Sequence, residues 1–121
     1  MTRTLSVLIV EDEPIIALSL ACAVEAAGAQ VVGPASSTVE ALGLLAQATI
    51  DAAIIDVQLE DRDITPVAVA LLHRHVPFVV HTGTGLPDAL ALSHPDLPVL
   101  MKPICADAVM ARLMQQMPVG G

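Results

Sequence analysis

Apolar positions along this chain come in two rhythms. Five short runs, at 5–10, 30–32, 52–56, 78–81 and 99–101, are nearly continuous in Val, Ile, Leu, Ala, Phe and Met. The third and fourth, "AAIID" and "PFVVH", are apolar almost throughout, which is the pattern of strands covered on both faces. Longer stretches with helical end signals lie between the runs. Pro14 suits a first helical turn and Gly28 a helix end. Ser37-Thr38-Val39-Glu40 matches a capping box for a second helix. Thr65-Pro66 is expected to cap and start a third, which Pro77 must end. A fourth helix is expected over 86–93, with Gly83, Gly85 and Pro87 crowding its start, and a fifth over 104–117, terminated by Pro118. Strand and helix alternate five times without repeat, linker or low-complexity tract. That alternation predicts one α/β domain over 1–121: a parallel sheet with right-handed crossovers and helices on both faces.

Composition narrows the picture. At 121 residues the chain can bury a core without disulfide or metal staples. It is 55% hydrophobic with a single Phe and no Tyr or Trp, so that core must be aliphatic. A net charge of −8 argues against a nucleic-acid backbone or an anionic membrane as the main partner. No apolar run approaches the roughly 20 residues that span a bilayer, and Glu11 interrupts the N-terminal run too early for a signal peptide. A cytoplasmic setting is therefore expected. Cys22 and Cys105 form no CxxC pair and read as small buried hydrophobes in a reducing compartment.

In a doubly wound sheet the ligand site lies beyond the carboxyl ends of the strands. Glu11-Asp12-Glu13 follows the first run, Asp56 ends the third, Thr82 follows the fourth and Lys102 the fifth. Two carboxylates about 4 Å apart repel by roughly 1 kcal/mol in water and about 4 kcal/mol at the intermediate dielectric of a protein surface. An acidic knot at a strand end therefore needs full solvation or a cation. Several carboxylates make a hard oxygen site suited to Mg²⁺. An aspartate can also act as a nucleophile and form an acyl phosphate. Phosphoryl transfer asks mainly for positioning and charge neutralisation, which a divalent ion on one side and Lys102 on the other would supply, with Thr82 as hydroxyl donor.

These residues carry a resemblance. "VLIVEDEP", "AAIIDVQL", "FVVHTG" and "VLMKPI" resemble, in order and spacing, the receiver domain of two-component response regulators, over essentially the whole chain. The resemblance implies a flavodoxin-like (βα)5 receiver fold with strand order 2-1-3-4-5. It implies that Asp56 accepts a phosphoryl group from a phosphohistidine on a partner kinase, and that Glu11 and Asp12 organise Mg²⁺ together with Asp56 and the backbone carbonyl of Gln58. Thr82 is then the switch hydroxyl and Lys102, before Pro103, the phosphate-pairing lysine. Glu13 falls outside the matched acid pair and is expected to be a solvated helix-start residue.

The sequence also departs from the family pattern. The aromatic residue usual three positions before the lysine is Val99 here, so an aromatic rotamer switch cannot operate. The segment 77–85 resembles the subclass with a Phe-Ala-Thr-Gly-x-Tyr signature, associated with histidine kinases of the HWE type, although His81 replaces the Ala and Gly85 the Tyr. Output must then come from loop and fourth-helix movement. Thr84 and Gln58, each two positions past a key residue, are candidates for facing the entering water and tuning phosphate lifetime. His81 neighbours the site; in a strand it should face away from Thr82 as a packed or partly exposed ring. His73 and His75 share no helix face and make no metal site. Met110, Met114 and Met117 follow helical spacing and are expected to form a core stripe.

The leading expectation is a stand-alone receiver, monomeric or weakly dimeric. It takes phosphate from a histidine kinase or phosphotransfer protein and signals through protein contacts, without an enzymatic turnover of its own beyond self-phosphotransfer and autodephosphorylation. A Mg²⁺-dependent aspartyl-phosphate hydrolase of the haloacid dehalogenase type wants Asp-x-Asp after the first strand, where this chain has Glu11-x-Glu13. A flavodoxin-like redox module wants its phosphate loop after the first strand and aromatics for the flavin; the Thr-Gly-Thr-Gly run follows the fourth instead. A phosphorylation-independent pseudo-receiver would not need this intact set of residues.

Overall fold

The structure is a computed structural model and describes residues 4–117 apart from 58, 60–62 and 87. Ten elements alternate along it: β1 (Ser6–Val10), α1 (Pro14–Ala26), β2 (Gln30–Ala35), α2 (Thr38–Gln47), β3 (Ala52–Ile55), α3 (Thr65–His73), β4 (Phe78–Thr82), α4 (Asp88–Ser93), β5 (Val99–Met101) and α5 (Ala106–Gln116). All strands pair in parallel in the order β2-β1-β3-β4-β5. This is the flavodoxin-like order expected from the sequence.

The two faces of the sheet bury separate cores. Val7, Ile9, Ile54 and Val79 pack with Leu20 and Val24 of α1 and with Val109, Met110 and Leu113 of α5. The alternate residues Leu8, Val10, Ile55 and Val80 pack with Ala41 and Leu45 of α2, with Val67 and Leu71 of α3, and with Leu90 of α4. β1, β3 and β4 lie inside the sheet and are buried on both sides, so they are apolar at successive positions rather than at every second one. Each fully buried aliphatic side chain contributes roughly 1.5–3 kcal/mol. The core is therefore almost wholly aliphatic, with Phe78 its one aromatic among the described residues.

Local chemistry sets the ends. Ser37 caps α2, its Oγ accepting from the Glu40 N–H at 3.1 Å, while Glu40 Oε1 accepts from the Ser36 N–H at 2.7 Å. Gly28, with φ +83°, closes α1. β2 runs three residues beyond the expected 30–32, through Gly33 and Pro34. A proline is tolerated there because β2 is an edge strand. Gly33 is required: its φ is +96°, and a Cβ would meet Ala35 N at 2.8 Å and Ile9 O at 3.0 Å.

Four expectations are corrected. Thr65 does not cap α3; it begins the helix, and Asp63 Oδ1 accepts its N–H at 2.9 Å. Cys22 and Cys105 are both exposed rather than buried. Of the methionine stripe, Met110 is buried and Met117 packs partly buried against the same core, while Met114 is exposed. The terminal helices begin later than expected, α4 at Asp88 and α5 at Ala106. Pro118, the expected stop for α5, lies outside the described residues. No helix among them is long and apolar enough to cross a membrane.

Candidate functional site

Three strand ends deliver the acids and the lysine to one edge of the sheet, and ladder hydrogen bonds fix each backbone. The Glu11 N–H donates to Ala35 O at 2.8 Å, the Asp56 N–H to Val10 O at 2.9 Å, and the Lys102 N–H to Thr82 O at 2.8 Å. Each site residue is thus the first beyond its strand and still tied to the neighbouring one.

The side chains converge. Lys102 Nζ donates a hydrogen bond to Asp56 Oδ2 at 3.0 Å and lies 3.2 Å from Glu11 Oε1 and 3.7 Å from Glu13 Oε1. Asp56 and Glu11 are buried, while Glu13 is 62% exposed. One carboxylate oxygen from each of Glu11, Asp12 and Asp56 lies within 4.8 Å of the others. Glu11 Oε2 accepts the Glu13 N–H at 3.2 Å, but Glu11 Oε1 is buried with no hydrogen-bond partner. It sits beside the lysine without the orientation of a hydrogen bond. Three hard oxygen ligands, one of them a buried oxygen held only by an ion pair, fit a divalent cation such as Mg²⁺.

The knot perturbs its members. Burial, reinforced by the hydrogen bond and charge of Asp56, pushes the Glu11 carboxyl up to about 7, against the opposing pull of the Glu13 N–H and of Lys102. For Lys102, burial works against the charged form, but the hydrogen bond and charge of Asp56, joined by Glu11, win and raise it. A cation must displace the proton that Glu11 holds below about pH 7. Mg²⁺ affinity should therefore fall by up to about tenfold per pH unit below that point and level off above it. Calorimetric titration at several pH values checks this; a flat profile between pH 5 and 8 would contradict it.

Thr82 is fully buried at the end of β4. Its Oγ accepts the Thr84 N–H at 3.1 Å and lies 3.4 Å from the Thr84 hydroxyl. The hydroxyl is thus held by its own loop. Thr84 itself is exposed. His81 faces the α1–α5 core, opposite to Thr82, and is only 3% exposed. Burial and the Lys102 charge hold its pKa below the usual histidine value. Gln58 lies outside the described residues. Glu13, expected to be merely solvated, joins the site through Lys102 and through its N–H. The only sequence signal for it was its place in the acidic triplet.

A family model for the response regulator receiver domain matches residues 7–114. The chain belongs to the response regulator receiver family. Among solved structures, the receiver-fold chain is similar to SdrG from Sphingomonas melonis Fr1, with 40% identity over 94% of this chain and 99% of that one and a TM-score of 0.75. It is similar to a response regulator receiver protein from Sinorhizobium medicae WSM419, at 24% identity, TM-score 0.79 and 94% coverage of each, a likeness of fold. It also resembles the anti-anti-sigma factor PhyR from Bartonella quintana, at 30% identity and TM-score 0.72, covering 96% of this chain and 48% of that one. No curated protein matches the sequence. Receiver domains are signalling modules that work with histidine kinases or phosphotransfer proteins and bind Mg²⁺ at an acidic cluster.

Proposed function

We propose that this receiver accepts a phosphoryl group on Asp56 from a phosphohistidine and passes the signal on through protein contacts. The observation that carries the reading is the buried Asp56 carboxylate, hydrogen-bonded to Lys102 at 3.0 Å, with two further acids at the same sheet edge. A carboxylate oxygen of Asp56 attacks phosphorus, the phosphorus–nitrogen bond of the donor breaks, and its electron pair returns to the donor imidazole. Burial keeps bulk water from the new acyl phosphate, and Lys102 neutralises charge on the transferring oxygens. Thr82, turning from its loop, donates its hydroxyl to a phosphoryl oxygen. Glu11, Asp12, Asp56 and the backbone of Gln58 would hold Mg²⁺, which supplies further charge neutralisation when bound.

Thr84 and Gln58, each two positions in sequence past Thr82 and Asp56, would meet an entering water and set the lifetime of the acyl phosphate. The partner is a sensor kinase, of the HWE type on the resemblance of segment 77–85, or a phosphotransfer protein. Kinship with SdrG, and with part of an anti-anti-sigma factor, supports output by protein contact. The test is incubation with acetyl phosphate and Mg²⁺, or with a phosphorylated histidine kinase. One phosphoryl group is expected, released by hydroxylamine as an acyl phosphate should be. A label resistant to hydroxylamine, or none with any donor, would overturn the proposal.

A further inference from the structure

His81 is the one departure from the subclass signature that brings a new functional group to the site. Among the described residues, three buried side-chain polar atoms have no hydrogen-bond partner: Glu11 Oε1 and both ring nitrogens of His81. A cation accounts for the first. An aliphatic side chain would fill the place of the second without leaving a donor and an acceptor unmade, so the imidazole costs stability unless another state uses it.

Its position indicates which group would use it. His81 pairs with Leu100 in the β4–β5 ladder, and Leu100 packs into the α1–α5 core, so both face that side of the sheet. Lys102 stands two positions past Leu100, with its N–H on Thr82 O. One strand across and two residues along places the two Cα atoms roughly 8 Å apart, within the span of a lysine side chain. The Lys102 ammonium has three N–H groups and, in this structure, three acidic neighbours, Asp56, Glu11 and Glu13. Once Asp56 carries a phosphoryl group and Glu11 serves a cation, two of these are taken up. One freed N–H group meets a phosphoryl oxygen; the other needs an acceptor. Burial and the nearby Lys102 charge, against the opposing pull of Asp56 and Glu13, favour the uncharged ring, and an uncharged imidazole has one acceptor nitrogen.

We propose that His81 is a positioning residue for Lys102: in the phosphorylated protein its ring accepts a hydrogen bond from the ammonium and holds it over the phosphoryl oxygens. This rests on the phosphoacceptor reading above. The test is ¹⁵N NMR of the histidine rings in the whole protein, before and after adding Mg²⁺ and beryllofluoride as a phosphoryl mimic. The unprotonated His81 nitrogen should move to the shift of a hydrogen-bonded acceptor, and should stay unmoved in Lys102→Met. His81→Leu should bind the mimic about tenfold more weakly, and His81→Gln should recover part of the loss. Backbone resonances that respond while the His81 ring does not, or a His81→Leu variant that binds the mimic as tightly as wild type, would overturn the inference and leave the phosphoacceptor reading standing. A protein whose backbone resonances ignore the mimic altogether overturns both.

Discussion

Asp56→Asn should take up no phosphoryl group from acetyl phosphate and Mg²⁺ under conditions in which the wild-type protein takes up one. The substitution is nearly isosteric and keeps a hydrogen-bonding group beside Lys102, so the site should retain its shape. What it removes is the anionic oxygen proposed to attack phosphorus and one member of a crowded set of carboxylates. Glu11 feels the Asp56 hydrogen bond and charge as forces that favour its protonated form. Loss of the Asp56 charge should therefore bring the Glu11 carboxyl back toward its ordinary range and leave the metal-free variant at least as stable as the wild type. Intact-mass measurement and a thermal melt on the same samples check both statements. Equal labelling of the variant would move the nucleophile to another residue, with Glu11 and Asp12 the nearest carboxylates.

Lys102→Met carries the second large effect. Methionine fills much of the same space, but the Asp56 hydrogen bond and the neighbouring cation at Glu11 are both lost. Removing the cation from a buried ion pair costs on the order of 3–5 kcal/mol. Protonation of Glu11, already favoured by burial, limits the loss at neutral pH. Because Mg²⁺ can replace the missing positive charge, most of the stability should return when the ion is added. The melting temperature of the variant should thus respond to Mg²⁺ more strongly than that of the wild type. An identical melting temperature for both proteins, with and without the ion, would show that the lysine does not neutralise the acids.

Much of this was legible before the fold was known, for physical reasons that differ by element. β3 is apolar at every position and β4 at its first three because both their faces are covered, and such runs are hard to mistake. Glu11, Asp56 and Lys102 were legible as a set because in a parallel sheet all strands end on the same edge. Other features were not. α1 is apolar on almost every side, with Ile15 81% and Leu18 65% exposed, so its sequence does not reveal which face is buried. The exposure of Cys22 on that helix could not be foreseen for the same reason. The end of β2 was hidden because Gly33 and Pro34 read as a break, whereas an edge strand accommodates them. Asp63, not Thr65, accepts a first-turn N–H of α3, because either residue type can do so and only the loop path decides between them. Glu13 entered the site because Lys102 reaches across the sheet edge, a distance no local pattern encodes.

The central claim is that residues from β1, β3 and β5 form one phosphoryl-accepting centre, and a crystal structure of the protein with Mg²⁺ and beryllofluoride tests it most directly. The account predicts beryllium bonded to a carboxylate oxygen of Asp56, the ion among Glu11, Asp12 and Asp56, and Lys102 turned onto a fluorine. Beryllofluoride attached to another side chain, or an ion seated away from those three acids, would contradict it.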